Sequence, residues 1–203
     1  MPTHTLAWER YLERNGIDPT NVEARMHGKR NDDLVADLFG KHLTPEEIFN
    51  HGAAKERLFR EMIGETLEAK MVPGVRDFLR KASETYPLAV GTNAEPANVD
   101  LILNGTHLRQ YFKAIVDGSQ VARPKPFPDV YLRGAELLGV AASDCIVFED
   151  SPVGIQAARA AGMRVVGLLT HAPHLDDVDI SVPDFIDPKL QSWLTAQTSV
   201  ARR

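Results

Sequence analysis

The run from Ile146 to Gly162, IVFEDSPVGIQAARAAG, constrains the fold more than any other stretch of the chain. An apolar strand ends in two adjacent carboxylates, Glu149 and Asp150. A Ser-Pro-x-Gly turn follows, and a helix of small residues stops at Gly162. Acids at the carboxyl end of a buried strand lie where open α/β sheets bind their ligands. Two like charges there are costly unless a cation or a set of hydrogen-bond donors offsets them. A hard ion such as Mg²⁺, which takes one or two carboxylates plus substrate phosphate, fits that pattern. A plainer reading has Asp150 or Ser151 capping the helix, with Pro152 in its first turn. Capping accounts for one acid or the serine, but not for both acids and Gly154.

The surrounding rhythm extends this unit into a domain. From Val72 onward, helical and strand patterns alternate. Pro73-Gly74 opens a helix carrying Val75, Phe78, Leu79 and Ala82, and a buried strand over Leu88 to Val90 ends at Gly91-Thr92-Asn93. A helix with Val99, Leu101, Ile102 and Leu103 precedes a short strand over Ala114 to Val116, which ends in Asp117-Gly118. Helix 128–138 stops at Gly139, strand 145–148 ends at the acid pair, and strand 165–169 ends at Thr170-His171. A last short strand and a helix near Trp193 complete the chain. Short apolar runs separated by helices predict an α/β fold with parallel strands joined by crossovers, a Rossmann-like core over residues 71–203.

Residues 1–70 carry helical patterns and no convincing strand. Thr3 or Thr5 is expected to cap a helix with Leu6, Trp8, Tyr11 and Leu12 that ends near Gly16. Asn31 or Asp32 opens a second, with Leu34, Val35, Leu38 and Phe39 on one face. Thr44-Pro45-Glu46-Glu47 starts a third, carrying Ile48, Leu58, Phe59, Met62 and Ile63, with Gly52 and Gly64 as weak points. This is a helical subdomain beside an α/β core.

Composition narrows the function. A net charge of −5 argues against nucleic acid or an anionic membrane as the main partner. The single cysteine, Cys145, permits no internal disulfide and fits a reducing cytoplasm; it reads as a core residue. No stretch approaches the length needed to cross a bilayer, and no secretory leader pattern opens the chain. Seven scattered histidines lack metal-ligand spacing, so zinc is not expected.

In a doubly wound sheet the strand carboxyl ends share one edge, so polar residues after separate strands converge there. The candidates are Thr92 and Asn93, Lys125, and the Glu149–Asp150 pair. Prolines 124, 126 and 128 stiffen the loop around Lys125, which suits a cation held against a fixed anion. A hydroxyl, backbone N–H groups, a lysine and a metal-binding acid pair form a phosphate site. Thr92 also reads as a helix cap, and Lys125 as a solvated loop lysine.

These segments carry a resemblance. GTN after the first core strand, RPKPFPDVY, and FEDSPVGIQAARAAGM resemble the second, third and fourth signatures of the haloacid dehalogenase-like superfamily, most closely its β-phosphoglucomutase-like branch with a helical cap. The resemblance implies that Thr92 and Asn93 bind the transferred phosphoryl group, that Lys125 balances its charge, and that Asp150 with Glu149 holds Mg²⁺. It implies substrate contacts for His27, Gly28, Lys29, Arg30 and Lys55 in the cap, positions that otherwise read as surface charge on helix ends. Several relatives carry an arginine where this chain has Asn31, so sugar-phosphate specificity does not transfer.

The family's first signature, an apolar strand leading into D-x-D-G, has no counterpart in these residues; Asp176-Asp177-x-Asp179 lacks a preceding apolar strand and reads as a solvated loop. By the resemblance, the two aspartates of that signature are the nucleophile and the general acid/base. The expectation is a start codon assigned too late or a shortened chain, catalytically inactive as written, with the central strand of the sheet absent. The function so read is a Mg²⁺-dependent phosphatase of small phosphorylated metabolites, monomeric and cytoplasmic. The alternatives are a sugar-phosphate phosphomutase and a non-catalytic phosphate-ligand-binding module. Dehalogenation would leave the acid pair unexplained.

Overall fold

The computed structural model describes residues 2–26, 31–40, 42–64 and 66–200. The chain divides into two compact units, Met1–Ala69 and Lys70–Arg203. The first is helical: α1 (Pro2–Arg14), α2 (Val22–Met26), α3 (Asn31–Phe39) and α4 (Pro45–Gly64). Trp8, Leu12, Val22, Leu34 and Val35 form its buried centre, with Tyr11, Leu38, Phe39 and Ile48 packed around them. These are the apolar positions at helical spacing, one face per helix.

The start of α4 follows its sequence signal. The Thr44 hydroxyl accepts from the Glu47 N–H at 3.3 Å, and Glu47 Oε2 accepts from the Thr44 N–H at 2.7 Å, a reciprocal cap. Two expectations fail here. α4 runs unbroken through Gly52, where an added Cβ would find only Asn31 Cβ at 3.9 Å. α1 begins at Pro2, so Thr5 lies inside the helix, buried, and does not cap it.

The second unit is α/β. Its elements are α5 (Val75–Ser83), β1 (Ala89–Gly91), α6 (Pro96–Gly105), β2 (Ala114–Val116), α7 (Asp129–Leu138), β3 (Ile146–Glu149), α8 (Pro152–Ala160), β4 (Arg164–Leu168), β5 (Ile180–Val182) and α9 (Pro188–Val200). All strand pairing is parallel, as predicted, and the strands form two separate sheets. β1 pairs with β2, in the register Ala89 to Ala114, while β3, β4 and β5 lie side by side in that order. Among the described residues β1 and β3 each have a single strand neighbour. The strand ends needed for a site are preserved: β1 runs into Thr92, β2 into Asp117, β3 into Asp150 and β4 into Leu169-Thr170.

Val147, Ile155, Ala158, Met163 and Val165 fill one side of β3 and β4. Phe78, Phe148 and Phe185 fill the other, with ring centroids 4.8–5.5 Å apart. α5 opens at Gly74 with φ 77°, and an added Cβ there would come within 3.3 Å of the Phe185–Ile186 backbone. Glycine is required on both counts. Cys145 is half-buried at the foot of β3, in contact with the Val147–Val165 cluster.

Within the helical unit His4 stacks on Phe59 at 3.7 Å and faces the Lys55 ammonium at 3.3 Å. Burial first, and the Lys55 charge second, lower its pKa to about 4, against some opposition from Glu56. An unfolded chain takes up a proton near pH 6.5 that the folded unit refuses until about pH 4. The unfolded state therefore binds more protons in that window, and stability falls as pH drops through it. Thermal melts between pH 7 and pH 5 are expected to show falling stability, with the slope reduced in His4→Gln.

Candidate active site

The fourth signature builds the centre of the site. β3 delivers Glu149 to the sheet edge almost wholly buried, and five protein donors converge on its two oxygens. The Lys125 ammonium and the Tyr131 hydroxyl both donate to Oε1. The N–H groups of Asp150 and Ser151 donate to Oε2 at 3.1 and 3.2 Å, and the Ser151 hydroxyl at 2.9 Å. Burial acts to raise the Glu149 carboxyl, but the Lys125 charge and the hydrogen bonds from Lys125, Tyr131 and Ser151 outweigh it. The group titrates below the ordinary glutamate range.

Gly154 makes this possible. A Cβ at that position would lie 2.0 Å from Glu149 Cδ, so the carboxylate occupies the space a side chain would fill. Ser151 also serves as the N-cap of α8, accepting from the Gly154 N–H at 3.2 Å, with Pro152 next. The capping reading and the site reading of this turn are therefore both realised, by different residues.

The two acids are not equivalent. Glu149 was expected to share an ion with Asp150, yet its lone pairs are taken by protein donors. Asp150 carries the open carboxylate: its side chain is 41% exposed, and Oδ2 accepts from the Thr170 hydroxyl at 3.0 Å with His171 Nε2 3.5 Å away. Thr170 and His171 come from the end of β4, so two strands hold this acid in place. Among the described residues no group of three or more His, Cys, Asp or Glu side chains could by itself hold a metal. One exposed hard oxygen donor at a strand end fits Mg²⁺, which keeps its waters and uses substrate oxygens for much of its shell.

Lys125 is brought to Glu149 by its loop. Asn93 Oδ1 accepts from the Lys125 N–H at 3.1 Å, and Asn93 Nδ2 reaches the Lys125 carbonyl at 3.5 Å. The Asn93 side chain, expected on phosphate, thus clamps the lysine's backbone. The Thr92 N–H bonds to the Val116 carbonyl at 2.9 Å and continues the β1–β2 ladder, while its hydroxyl accepts from the Ala94 N–H at 3.1 Å and keeps its proton to donate. Gly118 lies against Asn93, where a Cβ would come within 3.2 Å of the Asn93 carbonyl. Thr92, Asn93, Lys125 and Glu149–Asp150 are therefore tied into one edge, from segments far apart in sequence.

The predicted cap residues fare differently. His27, Gly28, Lys29 and Arg30 lie outside the described residues. Lys55 is buried, with Nζ 2.5 Å from Glu56 Oε1 and 5.0 Å from the centroid of the Trp8 ring. Asn31 Nδ2 donates to the same Glu56 oxygen at 2.7 Å. Sequence reasoning missed His4, Glu56 and Tyr131. His4 and Trp8 sit four apart on one face of α1, the one signal that marked the histidine as interior.

Parallel strands joined through helices, with a lysine on a buried strand-end glutamate and an open aspartate beside it, place the chain among α/β proteins whose polar side chains gather at strand carboxyl ends. Residues 8–168 match the family described as haloacid dehalogenase-like hydrolase, and the chain belongs to that family. It is 34% identical over 169 residues to a fructose-1-phosphate phosphatase of Escherichia coli, covering 81% of this chain and 87% of that protein. It is 30% identical over 181 residues to a β-phosphoglucomutase of Bacillus subtilis, covering 85% and 78%. The crystal structure of a β-phosphoglucomutase from Clostridium difficile has the same fold, with a TM-score of 0.82 at 22% identity over 99% of this chain and 92% of that one.

Gly154→Ala tests the seat of Glu149. It is expected to expel the carboxylate, break a buried ion pair and cost about 3 kcal/mol in chemical denaturation, whereas an alanine at exposed Gly64 changes little.

Proposed function

We propose that this chain is the helical cap and core of a Mg²⁺-dependent phosphatase of small phosphorylated metabolites. The observation carrying that reading is the junction at the end of β3. There the Lys125 ammonium is fixed on Glu149, one residue from the open carboxylate of Asp150. A lysine against a solvent-facing aspartate is an arrangement for an incoming dianion and the cation that accompanies it. Asp150 would hold Mg²⁺, which supplies charge neutralisation on the phosphoryl oxygens when bound. Thr92 donates its hydroxyl to a phosphoryl oxygen, with the Asn93 N–H beside it. Lys125 offsets the charge that builds on those oxygens. Glu149 and the Asn93 side chain keep Lys125 from swinging away. His27, Gly28, Lys29 and Arg30 are assigned to substrate choice, and Lys55, buried on Glu56, is left out of that role.

The nucleophile in this reading is an aspartate of a D-x-D-G strand between β1 and β3, whose open edges would take it on either side. The sequence contains no D-x-D-G. A second reading for these residues is a module that binds a phosphate ester without turning it over. The β-phosphoglucomutase relative supports a phosphomutase variant of the same site.

A chromogenic phosphate ester with Mg²⁺ separates these readings. The 203 residues alone are expected to show turnover lower by about 10⁶-fold than the same chain supplied with an N-terminal D-x-D-G strand. In the supplemented protein, Lys125→Ala and Asp150→Asn are each expected to cost about 100-fold or more in kcat. Equal turnover with and without the added strand would refute the assignment of the nucleophile.

A further inference from the structure

Tyr131 touches both halves of the Lys125 seat, the ammonium itself and the Glu149 oxygen that accepts from it. It stands in the first turn of α7, where its N–H bonds to the Pro128 carbonyl at 3.0 Å, so the proline-stiffened loop sets its position directly. Its ring lies against Gly91, the last residue of β1; a Cβ there would come within 3.2 Å of Cδ1 and Cε1. The Lys125 Nζ stands 4.7 Å from the ring centroid, within range of a cation–π contact. The phenol donates to Glu149 Oε1, the same oxygen that accepts from Lys125. Burial, and then the neighbouring carboxylate charge, push the phenol above its ordinary range, so it stays a proton donor at any working pH.

We propose that Tyr131 is a positioning residue for Lys125, seating the ammonium with its ring face and turning the Glu149 carboxylate toward it with its hydroxyl. This rests on the reading of Lys125 as the counter-charge of a phosphoryl group, and the two claims separate experimentally. With only 9% of its side chain exposed, Lys125 has little freedom, and its ammonium lies against Tyr131 and Glu149. A phenylalanine keeps the ring and loses the hydroxyl; a leucine loses both.

The test uses the 203-residue chain in two arms. Site-resolved acetylation with acetic anhydride, read by mass spectrometry, measures how often Lys125 leaves its seat, with exposed Lys81 and Lys113 as internal references. Lys125 is expected to label about threefold faster in Tyr131→Phe and about tenfold faster in Tyr131→Leu, the reference lysines unchanged. Exposed lysines label whether or not the fold loosens, so hydrogen exchange at the buried β4 amides is the control: a residue that merely stabilised the fold would speed it, and here it is expected to stay unchanged, with circular dichroism confirming that each variant is folded. In the second arm, titration with inorganic phosphate in the presence of Mg²⁺ is expected to give weaker binding in the order wild type, Tyr131→Phe, Tyr131→Leu. Unchanged or slower Lys125 labelling in both variants would overturn the proposal. Faster labelling with no phosphate binding by the wild type would uphold the seat of Lys125 and overturn the phosphatase reading instead.

Discussion

The buried carboxylate of Glu149 is the point on which the α/β unit is organised. An ionised carboxylate at the end of a strand is tolerable only with donors on both oxygens, and here a lysine, a tyrosine, a serine and two backbone N–H groups supply them. Those donors come from the loop before α7, from α7 itself and from the turn into α8. Satisfying one charge therefore fixes three segments relative to β3. Removing any single donor leaves the others to hold a charge that water cannot reach, and buried ion pairs are far costlier to break than they are stabilising to make.

The same arrangement separates two roles that a pair of adjacent acids could have shared. Glu149 faces inward and is spent on structure, while Asp150 faces outward and stays available. The alternation of side chains along an extended chain imposes that division, since successive residues point to opposite faces. A single charge type at consecutive positions thus yields one buried anchor and one open carboxylate.

Much of this was legible in the residues. The strand-helix alternation gave the parallel α/β unit, and the Ser-Pro-x-Gly turn after an apolar run located the site, because glycine, proline and a capping serine each impose a specific backbone or steric condition. The division of labour inside the site was not legible. Nothing in a sequence tells which of two neighbouring carboxylates is buried. Tyr131 occupies a position that helical periodicity assigns to packing, and its hydroxyl acquires a role only once β3 is alongside. Asn93 was read for its chemistry when its amide serves the backbone of Lys125. α2, five residues long, is too short for a periodic signal and is held by packing of Val22 rather than by propensity.

The notch at Gly154 has a consequence for how the site can vary. Because the carboxylate fills the volume left by the missing Cβ, it is held in place against the ammonium that rests on it. Arginine is longer than lysine and presents a flat fork instead of a compact head, so it has no room to lie there. An exchange that surface positions accept freely is closed at residue 125, and the identity of that cation is set from the opposite wall by a side chain that glycine does not have.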